Sequence, residues 1–151
     1  MKEAVVTDST CLIALERLGR LDILPALFEP VYAPPEVERE FGSSLPWLSV
    51  VELADPDRVL FLSTAVDAGE AEAIVLARER KLKVILDDLR ARRLAHRFEL
   101  AVIGTLGIFV RAKRAGILEL VGPLLDQLQN IGFHMTPELK EEALRQAGEL
   151  D

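Results

Sequence analysis

Acidic residues follow two apolar, β-branched segments of this 151-residue chain. Asp8 comes directly after residues 5–7, and the pair Asp87 and Asp88 comes directly after residues 84–86. A buried carboxylate costs several kcal/mol unless it is paired, hydrogen-bonded or bound to a cation. Thr105 follows a third such segment at 102–104 and would add a hydroxyl at the same kind of position. This pattern predicts a polar site that a cation completes.

Predicted helices supply further carboxylates. Glu36, Glu38 and Glu40 lie in PPEVEREF, and Glu70 and Glu72 lie in GEAEAIVLA. Glu40 and Glu72 stand at the edges of the apolar helix faces, so we expect both to point towards the same site. Hard oxygen ligands without an accompanying His or Cys cluster favour Mg²⁺ or Mn²⁺ over Zn²⁺. His96 and His134 are distant from these acids in the pattern and are expected to be ordinary surface histidines.

Each acid also has a structural explanation. An Asp after a strand often caps the following helix, an acid in a first helical turn favours the helix dipole, and most helical Glu residues are solvated. Arg90, Arg92 and Arg93 crowd the segment after Asp88, and they form either a solvated face or a phosphate-binding one. The formal net charge of −7 opposes nonspecific adhesion to nucleic acid, so any nucleic-acid binding must come from local cations.

The composition predicts a single domain, residues 1–151, with one core of Leu, Val, Ile and Ala. Aromatic residues make up only 5% of the chain, which argues against binding by base stacking. Cys11 is the single cysteine, so an internal disulfide is excluded, and its apolar setting favours a core role. The longest charge-free stretch is too short to span a bilayer, and the amino-terminal residues lack a secretory signal pattern, so we expect a cytoplasmic protein.

Apolar segments with strand composition alternate with segments of helical period, which predicts parallel βαβ units in a three-layer α/β/α sandwich with a mainly parallel central sheet. The carboxyl ends of such strands form the usual ligand crevice. Strands are predicted at Ala4–Thr7, Val31–Ala33, Arg58–Leu62, Lys83–Leu86 and Ala101–Ile103, with an optional short piece at Ser49–Leu53. Helices are predicted at about 12–18, 22–28, 34–41, 67–80, 89–97, 105–115, 118–131 and 136–147, the last two being extra C-terminal helices that begin at about residue 118.

Five ordered blocks carry a resemblance to a known family: VVTDSTCLIALERLGRLDIL, PPEVEREF, GEAEAIVLA, VILDDLRARRLA and VIGTLGIFVRAKRAGI. Together they resemble the PIN-domain superfamily, and in particular its small prokaryotic, predicted nucleic-acid-binding members marked by a GTLG element. The resemblance extends through about Ala147. It implies a PIN-like α/β/α sandwich and hydrolysis of RNA phosphodiesters with Mg²⁺ or Mn²⁺.

Matched block by block, the resemblance assigns the catalytic and metal-binding acids to Asp8, Glu40, Glu72 and Asp88, with Asp87 and Glu70 as alternative ligands. In the mechanism that this implies, Ser9, Thr10 and Thr105 would orient the ligands. The crowded arginines Arg90, Arg92 and Arg93, if they are functional, would hold a nucleic-acid backbone beside the metal. The last acid of many PIN proteins lies in a T-x-D context, which Leu86-Asp87-Asp88 lacks, so the choice between the two aspartates stays open.

The leading prediction is thus a metal-dependent endoribonuclease, of the kind that resembles the toxin of a toxin–antitoxin pair. Small PIN toxins pair with a small antitoxin protein and many form homodimers, so both partners are expected alongside an RNA substrate and no membrane. Two alternatives remain: a DNA or structure-specific nuclease using the same acids, and a noncatalytic PIN scaffold that binds RNA or a protein partner.

Overall fold

A computed structural model describes residues 2–150 and places a five-stranded, fully parallel sheet at the centre of that part of the chain. Its strands are β1 (Glu3–Thr7), β2 (Phe28–Ala33), β3 (Leu48–Val50), β4 (Lys83–Ile85) and β5 (Val102–Ile103). They lie in the order β3-β2-β1-β4-β5, so β1 and β4 are neighbours with Thr7 opposite Ile85. The acids that follow these two strands therefore emerge side by side at one edge.

Helices cover both faces of the sheet. Within residues 2–150 they are α1 (Ser9–Arg17), α2 (Ile23–Leu27), α3 (Pro35–Phe41), α4 (Arg58–Leu62), α5 (Ala68–Arg80), α6 (Leu89–Arg97), α7 (Thr105–Arg114), α8 (Gly122–Asn130) and α9 (Pro137–Gln146). Successive strand residues point to opposite faces, and Val5 and Val6 accordingly belong to two different apolar clusters. Val5 packs in the layer of α1–α3 and α7–α9, whereas Val6 packs in the layer of α4–α6. The predicted α/β/α sandwich is confirmed.

Side-chain caps set the starts of several helices. Asp8, Asp67, Asp88 and Thr136 each accept a hydrogen bond from a backbone N–H in the first turn of α1, α5, α6 and α9. Such caps satisfy amide groups that have no partner inside the helix. Two of the candidate acids, Asp8 and Asp88, are therefore helix caps. The turns from strand to helix that contain them also place them at the edge of the sheet.

The prediction of a strand at Arg58–Leu62 is wrong, because this segment forms α4. Its buried or half-buried apolar residues, Val59 and Leu62, are three apart, while Leu60 and Phe61 are 71% and 83% exposed. That spacing fits one helical face and not the alternation of a strand. The third strand pairs at Leu48–Val50 instead, within the region predicted as a loop with a short extended piece.

The C-terminal helices are mainly core elements. Leu124, Leu125 and Leu128 of α8 are buried, Leu144 packs partly buried against the same cluster, and Leu120 is 54% exposed. The helix predicted from residue 118 begins at Gly122, because Glu149 accepts hydrogen bonds from the N–H groups of Val121 and Gly122. Cys11 is buried, as expected, and both histidines are exposed. No helix among residues 2–150 has the length and apolar character needed to cross a bilayer.

Candidate functional site

Asp8 is the most buried acid at the carboxyl edge of the sheet, with 2% of its surface exposed. Its Oδ1 accepts a hydrogen bond of 3.0 Å from the backbone N–H of Cys11, which is the cap of α1. Its Oδ2 is buried and has no hydrogen-bond partner. Burial raises the pKa of Asp8 well above its usual value, and the neighbouring charge of Asp87 adds to the shift. The backbone N–H groups of Cys11 and Asp87 oppose this rise only in part, so the carboxylate bears a desolvation cost that the protein does not fully offset.

Asp87 lies beside Asp8 and is held by the start of α7. Its Oδ1 accepts from the backbone N–H of Thr105 at 2.8 Å, and its Oδ2 accepts from the Thr105 hydroxyl at 2.6 Å. Burial raises the pKa of Asp87, and the bonds from Thr105 and the charge of Arg92 oppose that rise. Both oxygens thus have fixed directions before any ligand binds.

Asp88 is exposed and caps α6, with Oδ2 accepting from the backbone N–H of Ala91 at 3.0 Å. The two adjacent aspartates therefore have different settings. Asp87 turns inward to Thr105 and Asp8, and Asp88 stands at the solvent-facing start of the helix. Both remain at the same edge of the sheet, so the structure gives each of them a place near the candidate site.

Glu70 completes the inner group of acids. It forms a capping box with Asp67, in which each side chain accepts from the other residue's backbone N–H. Burial raises the pKa of Glu70 to about 7, and the charges of Asp67 and Asp88 contribute. The charge of Glu70 in turn raises the pKa of Asp8. Glu70, which the sequence offered as an alternative, thus lies within electrostatic reach of both Asp8 and Asp88.

Glu72 lies in a different environment from Glu70. Its Oε1 accepts from the backbone N–H of Glu36 at 3.3 Å, and its pKa is raised by burial and by the charges of Glu36 and Glu52. The structure therefore places Glu72 against the start of α3. Among the acids of α5, it is Glu70 whose charge acts on Asp8.

Glu40 approaches the group from α3. Its Oε1 accepts a hydrogen bond of 2.9 Å from the Ser9 hydroxyl, directly after Asp8. Burial raises the pKa of Glu40, the Ser9 bond opposes this, and the charge of Asp67 adds to it. Thr10, which was expected to support the ligands, is exposed on the first turn of α1. Ser9 and Thr105 thus hold the carboxylates of Glu40 and Asp87, respectively, whereas Thr10 faces solvent.

The three arginines expected to bind nucleic acid separate into two kinds. Arg90 and Arg93 are exposed on α6. Arg92 is partly buried, and its Nη1 donates to the carbonyl of Leu86 at 2.9 Å. A Cβ on Gly104 would lie 2.8 Å from that nitrogen and 3.1 Å from Asp87 Oδ1, so the absence of a side chain there makes room for both groups. Arg92 is therefore part of the wall of the site.

The candidate ligand atoms are of the kind that a hard divalent cation prefers. Carboxylate oxygens predominate, and Asp8 Oδ2 is a buried acceptor that lacks a partner. Among residues 2–150, however, no three Asp, Glu, His or Cys side chains stand close enough together to form a ready-made metal site. Binding would require the longer side chain of Glu70, which interacts with Asp8 only through its charge, to move towards Asp8. The chemistry therefore fits a hard divalent cation, with adjustment of side chains on binding.

The sequence interpretation missed three contributors. Thr7 is buried and its hydroxyl donates to the carbonyl of Asp8 at 3.0 Å. Gly104 makes room for Arg92 and Asp87, and Gly69 makes room for Glu40. The signal for the glycines was present in the blocks GTLG and GEAEA, but only coordinates reveal which side chain occupies the space that each one leaves.

A family model described as a PIN domain matches residues 4–149, which is nearly the whole chain. No curated protein shows significant similarity to the sequence. The parallel sheet and the acids at its carboxyl edge agree with the family match, and that family lies within a nuclease superfamily. The chain belongs to the PIN-domain family.

Proposed function

We propose that this protein is an endoribonuclease that hydrolyses RNA phosphodiesters with Mg²⁺ or Mn²⁺ bound at the acids that follow β1 and β4. The observation that carries the proposal is the buried, unpartnered Oδ2 of Asp8 beside Asp87. The two neighbouring carboxylates, one buried and one half-buried, repel each other, so a cation that both bind stabilises the folded state as well as the site. A bound divalent cation also polarises a phosphate and offsets the negative charge that develops during hydrolysis.

Within this proposal, Asp8 is the central ligand and Asp88 lies at its side. Asp87 either binds directly or orients neighbouring groups, because Thr105 fixes both of its oxygens. Glu70 is the preferred ligand from α5, since its charge interacts with those of Asp8 and Asp88. Glu72, the first choice from the family resemblance, then acts from a more distant position. Glu40, held by Ser9, binds the cation or accepts a proton from water.

The exposed arginines of α6 supply the local positive charge that RNA binding needs. Arg90 and Arg93 follow Asp88 within two turns, so they lie near the acidic edge and can contact phosphates on either side of the scissile bond. Arg92 instead holds the Leu86 carbonyl. This division predicts that Arg90 and Arg93 affect RNA affinity, while Arg92 affects the site itself.

The test is cleavage of structured RNA by the purified protein in Mn²⁺, in Mg²⁺ and in chelator, with Asp8→Asn beside it. Asn keeps the size of the side chain and is itself a good helix cap, so α1 should be preserved. We expect metal-dependent cleavage that falls by at least about a hundredfold in the variant, because even groups that only support a ligand contribute ten- to a hundredfold. Glu3→Gln is the matched control, since Glu3 stands at the opposite end of β1.

Three outcomes would redirect the proposal. Equal cleavage by wild-type protein and Asp8→Asn would overturn the assignment of the site. Cleavage of DNA in preference to a matched RNA would make the protein a DNA nuclease with the same acids. RNA binding that persists in Asp8→Asn, without cleavage by either protein and without metal binding by the wild type, would indicate a noncatalytic scaffold.

We extend the proposal to a toxin-like role in the cytoplasm, with a small antitoxin and a homodimer as its partners. An antitoxin that occupies the site would need a cationic side chain, because Asp8 and Asp87 lack a fully compensating charge. The exposed Leu60 and Phe61 of α4 are the apolar surface most suited to a second copy of the chain. Sedimentation of the wild type and of Phe61→Ser would test the dimer, which should dissociate in the variant.

A further inference from the structure

Two neighbours determine where the carboxylate of Glu40 lies. Ser9 donates a hydrogen bond to Oε1, and Gly69 in the first turn of α5 lies directly beneath the same carboxylate. A Cβ built on Gly69 would overlap Glu40 Oε1, and it would lie 2.9 Å from Cδ and 3.1 Å from Oε2. We infer that Gly69 is a positioning residue, whose missing side chain forms the seat for the Glu40 carboxylate.

The backbone gives no other reason for glycine at this position. Five other glycines have positive φ, namely Gly19, Gly42, Gly116, Gly132 and Gly148, and a side chain there would be strained. Gly69 is helical and is not among them. Glycine is a poor helix former, so an alanine in the first turn of α5 would favour the helix if nothing occupied the space. What occupies the space is Glu40.

The seat connects two elements of the proposed site. Glu40 belongs to α3, and Gly69 lies directly before Glu70 in α5, so the close approach fixes the distance between these two acids. Any side chain at position 69 would force the Glu40 carboxylate away from α5 and from Ser9. The role of the seat in metal binding rests on the proposed function, but the contact between Glu40 and Gly69 does not.

The first experiment compares Mn²⁺ affinity and RNA cleavage in wild type, Gly69→Ala, Glu40→Asp and the double variant. We expect Gly69→Ala to weaken Mn²⁺ binding by roughly tenfold, as loss of groups that orient ligands usually does. Aspartate is one methylene shorter and withdraws the carboxylate from the new Cβ. The double variant should therefore bind Mn²⁺ more tightly than Gly69→Ala alone, a rescue that a general loss of structure would not produce.

The second experiment tests the contact between Glu40 and Gly69 by its effect on stability, independently of activity. The urea midpoint of unfolding is determined for wild type, Gly69→Ala, Glu40→Ala and Glu40→Ala with Gly69→Ala, in the absence of metal. Alanine at 69 should raise the midpoint when position 40 is also alanine, because only its helix-forming tendency then acts. It should raise the midpoint less, or lower it, when Glu40 is present.

The two experiments fail in distinguishable ways. An equal shift of the midpoint in both backgrounds would overturn the seat itself, and wild-type Mn²⁺ affinity in Gly69→Ala would overturn its role in metal binding. Absence of cleavage by wild-type protein, with the predicted coupling between positions 40 and 69 intact, would count against the nuclease and leave the seat standing.

Discussion

The two ends of β1 shift the pKa of a carboxylate in opposite directions. Glu3, at the beginning of the strand, forms two ion pairs through its Oε1, which lies 3.2 Å from both Lys83 Nζ and Arg111 Nη1. Partial burial opposes the effect, but these two cations hold the pKa of Glu3 below its usual value. Asp8, directly after the strand, is buried without such a partner, and its pKa is raised. Only the four strand residues 4–7 separate an acid with a countercharge from one without.

The difference shows where the fold supplies its own countercharge and where it does not. Lys83 begins β4, the strand next to β1, and Arg111 belongs to α7, so the ion pairs of Glu3 link three elements. At the other end of β4 the sequence places Asp87 and Asp88 in the corresponding position. Neighbouring strands thus bring opposite charges together at one edge and like charges together at the other. The second arrangement is stable only with a bound cation or with raised pKa values.

The largest expected effect of this difference is on the pH dependence of metal binding. The pKa of Glu70 in the metal-free protein is about 7, and that of Asp8 is raised, so both must lose protons when a cation binds. Affinity should therefore fall as the pH falls below about 7. Because Glu70 must release one proton when the cation binds, Mn²⁺ affinity should be roughly 20-fold lower at pH 5.5 than at pH 7.5. A second proton released from Asp8 would enlarge this difference in affinity.

Isothermal titration calorimetry at both pH values measures the affinity, and buffers of different ionisation enthalpy measure the protons released. Glu70→Gln is the matched variant, which should bind more weakly at pH 7.5 and show a flatter pH dependence. An affinity that does not change between the two pH values would show that Glu70 and Asp8 do not bind the cation.

A smaller effect is expected on the stability of the metal-free protein. Because the folded-state pKa of Asp8 is raised, its ionisation destabilises the folded state as the pH rises above the unfolded value of 3.8. Asp8→Asn removes that charge, keeps the cap on Cys11 and adds an amide that can donate to Asp87. We expect its free energy of unfolding to exceed that of wild type by about 1 to 2 kcal/mol at pH 7.5.

Urea denaturation across pH checks this expectation. The advantage of Asp8→Asn should shrink at acid pH, where Asp8 is protonated, and saturating Mn²⁺ should stabilise only the wild-type protein. A variant that is less stable than wild type in chelator at pH 7.5 would mean that the buried charge of Asp8 is already compensated within the fold.

Much of the fold could be predicted from local signals. The β-branched segments that form β1 and β4, and the Asp and Thr caps that begin α1, α6 and α9, depend on neighbouring residues in the sequence. The prediction for the segment that forms α4 was wrong because its four consecutive apolar residues, 59–62, fit either structure until burial selects one face. The strand order was not predicted, since it depends on contacts between residues far apart in the sequence.

The edge that holds the site was predictable, but the choice of side chains was not. Glu70 and Glu72 are two residues apart on a helix and so point about 200° apart around its axis. An apolar stripe would have shown which one faces the sheet, yet α5 is buried on several sides, with Ala71 and every residue from 73 to 77 buried. Similarly, Asp87 turns inward because Thr105, 18 residues later, holds it.

The smallest effect is expected at the compensated end of β1. The lowered pKa of Glu3 contributes stability that is present above the unfolded value of 4.5 and is lost as the pH falls through the folded value. Glu3→Gln should therefore reduce the free energy of unfolding at pH 7.5 by less than about 1 kcal/mol, because the side chain is 49% exposed and solvent screens its ion pairs. The deficit should diminish below about pH 4 and in high salt.

Comparison of Glu3→Gln with Asp8→Asn tests whether the two ends of β1 differ. The test is the sign of the change in the free energy of unfolding. Removal of one negative charge should destabilise the protein at Glu3, which begins β1, and stabilise the metal-free protein at Asp8, which follows β1. Chemical denaturation of both variants in one buffer measures both signs, and RNA cleavage by Glu3→Gln should equal that of wild type. If both variants shifted stability in the same direction, the environment of Asp8 would not differ in kind from that of Glu3, and the argument for a cation at the carboxyl edge would lose its basis.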